Sequence, residues 1–153
     1  MITFTVPGDP FAQPRHRTAY HGPKGKPYDP RCLRQYDDDR AVSYKGVVMQ
    51  YAQIAMADEE IIAGPVEITI WAYYVMPRKY QCKRKTKFVA TPEMRKCSKP
   101  DWDNVGKIVS DALNGVAYLD DQVICDAHVH KRFAAQGEGG RLEVTVEKIK
   151  EPA

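Results

Sequence analysis

Four aspartates in one stretch of the chain have the residue type and spacing of a hydrolytic site. Asp101 and Asp103 are two positions apart, and Asp120 and Asp121 follow further along the chain. Two carboxylates about 4 Å apart repel by roughly 4 kcal/mol at an effective dielectric constant near 20, so a cluster of them requires a compensating cation. Ligand sets made only of oxygen select a hard divalent ion such as Mg²⁺ or Mn²⁺. If folding brings these segments together, the sequence predicts a divalent-metal site.

Lys107 supplies a second component of the same chemistry. A hard cation can generate hydroxide from water and stabilise charge that develops on a phosphate, and a nearby lysine can donate a proton to the leaving oxygen. The residues also have an ordinary structural interpretation. Asp103 can cap a helix, Lys107 can pair with a carboxylate four residues away, and Asp120 and Asp121 can form a polar turn. Their combination with a neighbouring basic segment favours phosphodiester hydrolysis.

The basic segment lies immediately upstream of these aspartates. Residues 78–99 contain nine Lys or Arg and one Glu, a charge of +8, which leaves −5 on the rest of a chain whose net charge is +3. Cations that meet nucleic-acid phosphates release condensed counterions, so nucleic acid is the leading partner class, and a solvated loop without a ligand is the alternative. The candidate DNA-binding residues are Arg15, Arg17, Arg78, Lys79, Lys83, Arg84, Lys85, Lys87 and Lys99.

A helix is needed to position the acidic residues, and the pattern predicts one from Asn104 to Leu113. At 100° per residue, Asp103, Lys107 and Asp111 fall on one face, and apolar side chains fall on the other. The apolar positions are Val105, Ile108, Val109 and Ala112. One face is therefore expected to join the core and the other to carry the chemistry.

The remaining elements predict one sheet with helices packed on it. A helical stripe ends near Met56 and can be capped by one of the aspartates at 37–39. Residues 9–39 are rich in Pro, Gly and charge and are interpreted as a long loop, and residues 78–100 as a second, basic loop. Alternating apolar residues predict strands at 2–6, 65–76, 123–133 and 142–146. The order β, α, β, α, β, β predicts an α+β fold, a mixed sheet of about four strands with two main helices.

Length and composition limit the class of protein. A chain of 153 residues can bury about two thirds of its unfolded surface, so we expect a single domain, 1–153, that needs no disulfide or zinc. No apolar run approaches the roughly 20 residues that span a bilayer, and no signal peptide is evident, so we expect a cytoplasmic protein without a membrane partner. The four cysteines form no CxxC pair. Metal binding by Cys82 with Cys97, or by His128 with His130, stays open.

The acidic stretch closely resembles the RusA family of Holliday-junction resolvases, which is common in phages and prophages. The family consists of homodimeric α+β endonucleases that bind four-way DNA junctions and make paired nicks in a Mg²⁺-dependent reaction. The similarity extends over Lys99-Pro100-Asp101-Trp102-Asp103-Asn104, Lys107, Asp111-Ala112-Leu113-Asn114-Gly115 and Asp120-Asp121. Upstream, a looser arginine-bearing motif of the family is similar to Gly8-Asp9-Pro10 and Gln13-Pro14-Arg15-His16-Arg17.

The resemblance implies a role for each matching residue. Lys107 matches the catalytic lysine of the family. Asn104 and Asp111 belong to the motif and would either act directly or cap the helix and support the ligands. The metal-binding catalytic carboxylates would be Asp101, Asp103 and Asp121, with Asp120 as an accessory metal-binding acid.

The sequence therefore predicts a homodimeric, structure-selective endodeoxyribonuclease of DNA recombination and repair, with Mg²⁺ as cofactor and Mn²⁺ able to substitute. Two nicks related by approximate two-fold symmetry need two sites, which a two-fold dimer supplies. The basic residues would hold phosphates and orient the DNA without reading bases. The alternatives are a nuclease of broader branched DNA such as flaps and forks, a catalytically silent DNA-binding protein, and a phage structural or adaptor protein.

Overall fold

The computed structural model describes residues 1–14, 17–36, 38–57, 59–77, 91 and 94–150, and of residues 17, 35 and 36 only the backbone. Within these ranges no helix is both long enough and apolar enough to cross a bilayer. The strands are β1 (Ile2–Pro7), β2 (Arg17–Tyr20), β3 (Leu33–Tyr36), β4 (Val66–Tyr74), β5 (Ile124–Phe133) and β6 (Arg141–Lys148). The α-helices are α1 (Asp39–Met56) and α2 (Trp102–Leu113).

The main sheet has four strands in the order β1-β6-β4-β5. β6 pairs antiparallel with β1 and with β4, whereas β5 pairs parallel with β4 and forms an edge. Both helices pack on one face of the sheet, where alternate side chains such as Phe4, Ile70 and Val144 join the core. This architecture confirms the predicted α+β fold and its mixed four-stranded sheet.

The helix α1 begins where an aspartate can satisfy its first backbone groups. Asp38 is the capping residue, and its side chain accepts a hydrogen bond from the Arg40 backbone N at 3.0 Å. Its buried side chains recur at helical spacing, at Ala41, Val48 and Ala52. The predicted helix and the predicted aspartate cap are confirmed.

The helix α2 begins two residues before the predicted start. Trp102 is its first residue and Asp101 its cap position, so Asp103 lies in the first turn and does not occupy the cap. The predicted core face is confirmed, because Val105, Ile108, Val109 and Ala112 are all buried. Gly115 follows the helix with φ of +72°, a conformation that L side chains rarely adopt.

The long loop predicted for residues 9–39 contains a β-ribbon. β2 and β3 pair antiparallel, from Arg17 opposite Tyr36 to Tyr20 opposite Leu33. Each strand has only four residues, and none of their described side chains joins the hydrophobic core. A ribbon without a buried face needs no alternation of apolar and polar residues, which explains why the sequence pattern did not predict it.

The sequence predicts that alternate apolar side chains of β5 are buried, and the structure shows this only in part. Cys125 is exposed at the register shift between β4 and β5, Ala127 faces the helix side but is exposed, and Val129 is half-buried against α2. The reason is position, since β5 is an edge strand and α2 covers it incompletely. On the opposite face, His128 Nε2 lies 3.3 Å from Glu67 Oε1. His130 stacks on Trp71 with ring centroids 4.0 Å apart.

Candidate active site

Two exposed carboxylates stand at the start of α2. Asp101 and Asp103 are both exposed, and within the described part of the chain neither carboxylate has a hydrogen bond or an ion pair. The backbone of Asp101 is used, because its carbonyl accepts from the Val105 backbone N at 3.3 Å. Trp102 between them is 63% exposed. The described part of the chain therefore presents two exposed carboxylates that none of its own groups pairs with.

Two lysines hold the segment that leads into Asp101. Lys131 of β5 donates from Nζ to Ser98 O at 3.0 Å and to Pro100 O at 2.6 Å. Lys96 donates from Nζ to Ser98 O at 3.2 Å, to Ser98 Oγ at 3.0 Å, and also to the carbonyl of Lys99. Burial lowers the pKa of Lys96, and the neighbouring Lys131 ammonium lowers it further. Both ammonium groups thus fix the carbonyls immediately before the first proposed ligand.

The N-terminal motif forms the other wall of this region. Asp9 Oδ1 accepts from the Val75 backbone N at 3.0 Å, which ties the motif to the end of β4. Gln13, only 5% exposed, donates its backbone N–H to Asn104 O at 2.9 Å. An open cleft of about 740 Å³ is lined by Ala12, Gln13, Pro14, Lys99, Pro100, Asp101 and Asn104. Asn104 therefore supports the entry of α2 through its backbone.

The outward face of α2 carries an ion-pair network. Lys107 Nζ lies 3.2 Å from Asp111 Oδ1, the pairing expected one turn apart on a helix. Lys45 of α1 reaches the other oxygen, Asp111 Oδ2, at 2.9 Å. Burial acts to raise the pKa of Asp111, but the hydrogen bonds from Lys45 and Lys107 outweigh it and hold that pKa below its usual value. Asp111 is therefore a charged group held between two cations.

Asp120 and Asp121 lie in the segment between α2 and β5. The Asp120 side chain accepts from the Gln122 backbone N at 3.0 Å and caps the short 3₁₀ turn Asp121–Val123 that precedes β5. Ile124, the first residue of β5, lines a cavity of about 210 Å³ together with Asp103, Lys107 and Ser110 of α2. The turn that carries Asp120 and Asp121 therefore leads directly into a strand residue that shares a cavity with Asp103.

All four aspartates predicted to bind a metal ion lie within the described part of the chain. Among the described residues, no group of three or more His, Cys, Asp or Glu side chains lies close enough to hold one metal ion. The donor chemistry of Asp101 and Asp103 nevertheless fits Mg²⁺, because this ion is commonly bound through one or two carboxylates while it keeps several waters. A direct contact of Asp121 with the same ion stays a prediction.

The basic residues predicted to bind DNA fall mainly outside the described residues. Lys99 is described and exposed, beside the cleft at the start of α2. Of Arg17 only the backbone is described. Those outside are Arg15, Arg78, Lys79, Lys83, Arg84, Lys85 and Lys87. Cys82 also lies outside, and Cys32, Cys97 and Cys125 are free thiols.

Comparison with known proteins defines the class. The model of the family described as Endodeoxyribonuclease RusA matches residues 7–147. The chain therefore belongs to the RusA family and is an endodeoxyribonuclease, and this membership indicates an enzyme that resolves Holliday junctions in DNA. Among individual proteins, the chain is similar to the uncharacterized protein YqaN of Bacillus subtilis (strain 168). The two are 34% identical over 149 residues, which cover 97% of this chain and 96% of that protein.

Proposed function

We propose that this protein is a homodimeric, Mg²⁺-dependent endonuclease that resolves four-way DNA junctions by paired nicks during recombination and repair. The main support for this proposal comes from two aspartates. Asp101 and Asp103, exposed and without a described protein partner, stand at the start of α2 within the region that matches the RusA family. Two such charges side by side are unfavourable unless a cation or a substrate uses them.

Asp101 and Asp103 are the residues proposed to hold Mg²⁺, which in that position supplies a nucleophilic hydroxide and stabilises charge on the phosphate. Asp121 is proposed to bind the same ion, with Asp120 as an accessory metal-binding acid. Mn²⁺ is proposed as a substitute, since it accepts the same oxygen ligands.

The remaining groups bind and orient the DNA. Lys107 is proposed to contact the phosphate at the cleavage site and to give its proton to the leaving oxygen. Lys99, with Arg15, Arg17 and the basic residues at 78–87, is proposed to hold the flanking backbone and set its register. A two-fold dimer then places two such sites on the two strands of a junction.

Cleavage of matched DNA substrates tests the proposal. Purified protein would be incubated with a synthetic four-way junction, a flap, a fork and a linear duplex, with Mg²⁺, with Mn²⁺ and with EDTA. We expect the junction to be cut in preference, and only with metal. Asp103→Asn should lower the rate by about 100-fold or more, the scale of a lost catalytic group, while junction affinity in EDTA is kept.

The control is Asp126→Asn, which removes an exposed aspartate from the edge strand β5. This variant should cut the junction like the wild type. Undiminished cutting by Asp103→Asn would remove the proposed metal role, and equal cutting of flaps and junctions would replace the resolvase with a broader branched-DNA nuclease. Sedimentation equilibrium tests the dimer, and a monomer at cleaving concentrations would contradict it.

A further inference from the structure

The network Lys45–Asp111–Lys107 joins the two helices at the candidate active site. Lys45 comes from α1, and the other two residues come from α2. Asp111 offers one carboxylate oxygen to each lysine, at 2.9 Å from Lys45 Nζ and 3.2 Å from Lys107 Nζ. A single carboxylate is therefore shared by two cations, and only one of them is needed to balance its charge.

The two lysines differ in how firmly they are held. The side chains of Lys45 and Asp111 are only 22% and 21% exposed, whereas that of Lys107 is 54% exposed. An exposed ion pair within one helix contributes little to stability, and its partners separate readily. An ion pair that is more shielded from water is stronger. Lys45 is thus the permanent partner of Asp111, and Lys107 the partner that can leave.

Any contact of Lys107 with a phosphate requires it to leave Asp111. Without another cation, that movement would leave a partly buried carboxylate uncompensated, which is unfavourable. We propose that Lys45 is a positioning residue that keeps Asp111 neutralised and so allows Lys107 to transfer to the DNA phosphate. This inference rests on the proposed function, because it assumes that Lys107 contacts DNA.

The first test needs no DNA. Lysine reactivity with acetic anhydride, measured residue by residue by mass spectrometry, reports how strongly each ammonium is held. In Lys45→Met, Asp111 has Lys107 as its remaining partner in this network, so Lys107 should react about two- to fivefold more slowly, the range of a partly exposed ion pair. In Lys45→Met/Asp111→Asn that restraint is gone, and Lys107 should react faster than in the wild type.

The second test measures DNA contact. The slope of log affinity against log salt changes by about 0.9 for each phosphate contact to duplex DNA. We expect Lys45→Met to lose about one contact per protomer and to cut the junction about tenfold more slowly. Adding Asp111→Asn should restore the salt slope and the cleavage rate towards those of the wild type. Lys45→Arg should have the salt slope and cleavage rate of the wild type. Lys148→Met, which removes an exposed lysine at the end of β6, should change neither.

The reactivity of Lys107 separates positioning from mere stability, since a loss of stability alone would not make this lysine react more slowly. The inference is overturned if Lys107 reacts as fast in Lys45→Met as in the wild type, or if the double variant stays as slow as the single one. Failure of the proposed function would look different, because the wild type itself would not bind or cut junctions while the reactivity changes would still be seen.

Discussion

Replacing Lys131 by methionine should loosen the start of the candidate active site without unfolding the protein. Lys131 Nζ donates to Ser98 O at 3.0 Å and to Pro100 O at 2.6 Å. Methionine keeps most of the aliphatic stem but cannot donate. The segment before Asp101 would then be held by Lys96 alone, through its bonds to Ser98 and Lys99.

The size of the effect of Lys131→Met depends on which carbonyl oxygen loses its hydrogen-bond donor. Ser98 O keeps Lys96, whereas among the described groups Pro100 O accepts only from Lys131. A hydrogen bond to a charged group contributes about 1.5–3 kcal/mol, and water at this half-exposed position replaces part of it. We therefore expect local opening to become easier by about 1.5 kcal/mol, which is roughly tenfold in its equilibrium constant.

Hydrogen exchange at the Val105 amide measures this opening, because that amide donates to Asp101 O, directly after the held segment. We expect it to exchange about tenfold faster in Lys131→Met, with little change in the strand amides of β4. Arg132→Met is the matched control, since Arg132 neighbours Lys131 but lies over the Trp71 ring on the open face, 5.3 Å from its centroid. Unchanged exchange at Val105 in Lys131→Met would refute the anchoring role.

Two further predictions concern β5. A Cβ at Gly106 would lie 3.3 Å from Val129 Cγ2, a tight contact that offsets the gain in helix propensity. Gly106→Ala should therefore leave the free energy of unfolding nearly unchanged in the wild type, but raise it by about 1 kcal/mol in Val129→Ala, where the contact is removed. Urea denaturation measures both values. Equal effects in both backgrounds would contradict it. Burial, then Arg132, then His128 lower the pKa of His130 from 6.5. Neutral His130 should therefore make its full contribution to the free energy of unfolding above pH 6.5, and this contribution should be lost as the pH falls below 6.5. His130→Gln should make the free energy of unfolding less dependent on pH in this range.

The elements with one buried face were the ones that the sequence could predict. In α2 the apolar residues recur at helical spacing because that face must enter the core, and the four predicted positions are buried. The alternation in β1, β4 and β6 follows from the same requirement, since one face of each strand meets the helices. The predicted boundaries were less accurate, and α2 begins at Trp102 where Asn104 was expected.

Elements and contacts without a buried pattern could not be predicted. None of the side chains that the structure describes in the β2–β3 ribbon joins the core, so no apolar pattern distinguishes the ribbon from a loop. Lys45 and Lys131 are single lysines whose partners lie 66 and 31 to 33 positions away, and only the fold brings them together. Long-range partners of this kind leave no periodic signal in a single sequence. The acidic motif was recognisable because its members are close in sequence.

The predicted site residues belong to one unit of the fold, the helix α2 and the edge strand β5 that it packs on. Lys131, near the end of β5, holds Pro100 before α2, whereas Asp120 and Asp121 precede the first residue of β5. Ile124 at the start of β5 lines one cavity with Asp103 and Lys107 of α2. Because these segments are separated along the chain, only folding could bring them to one cavity.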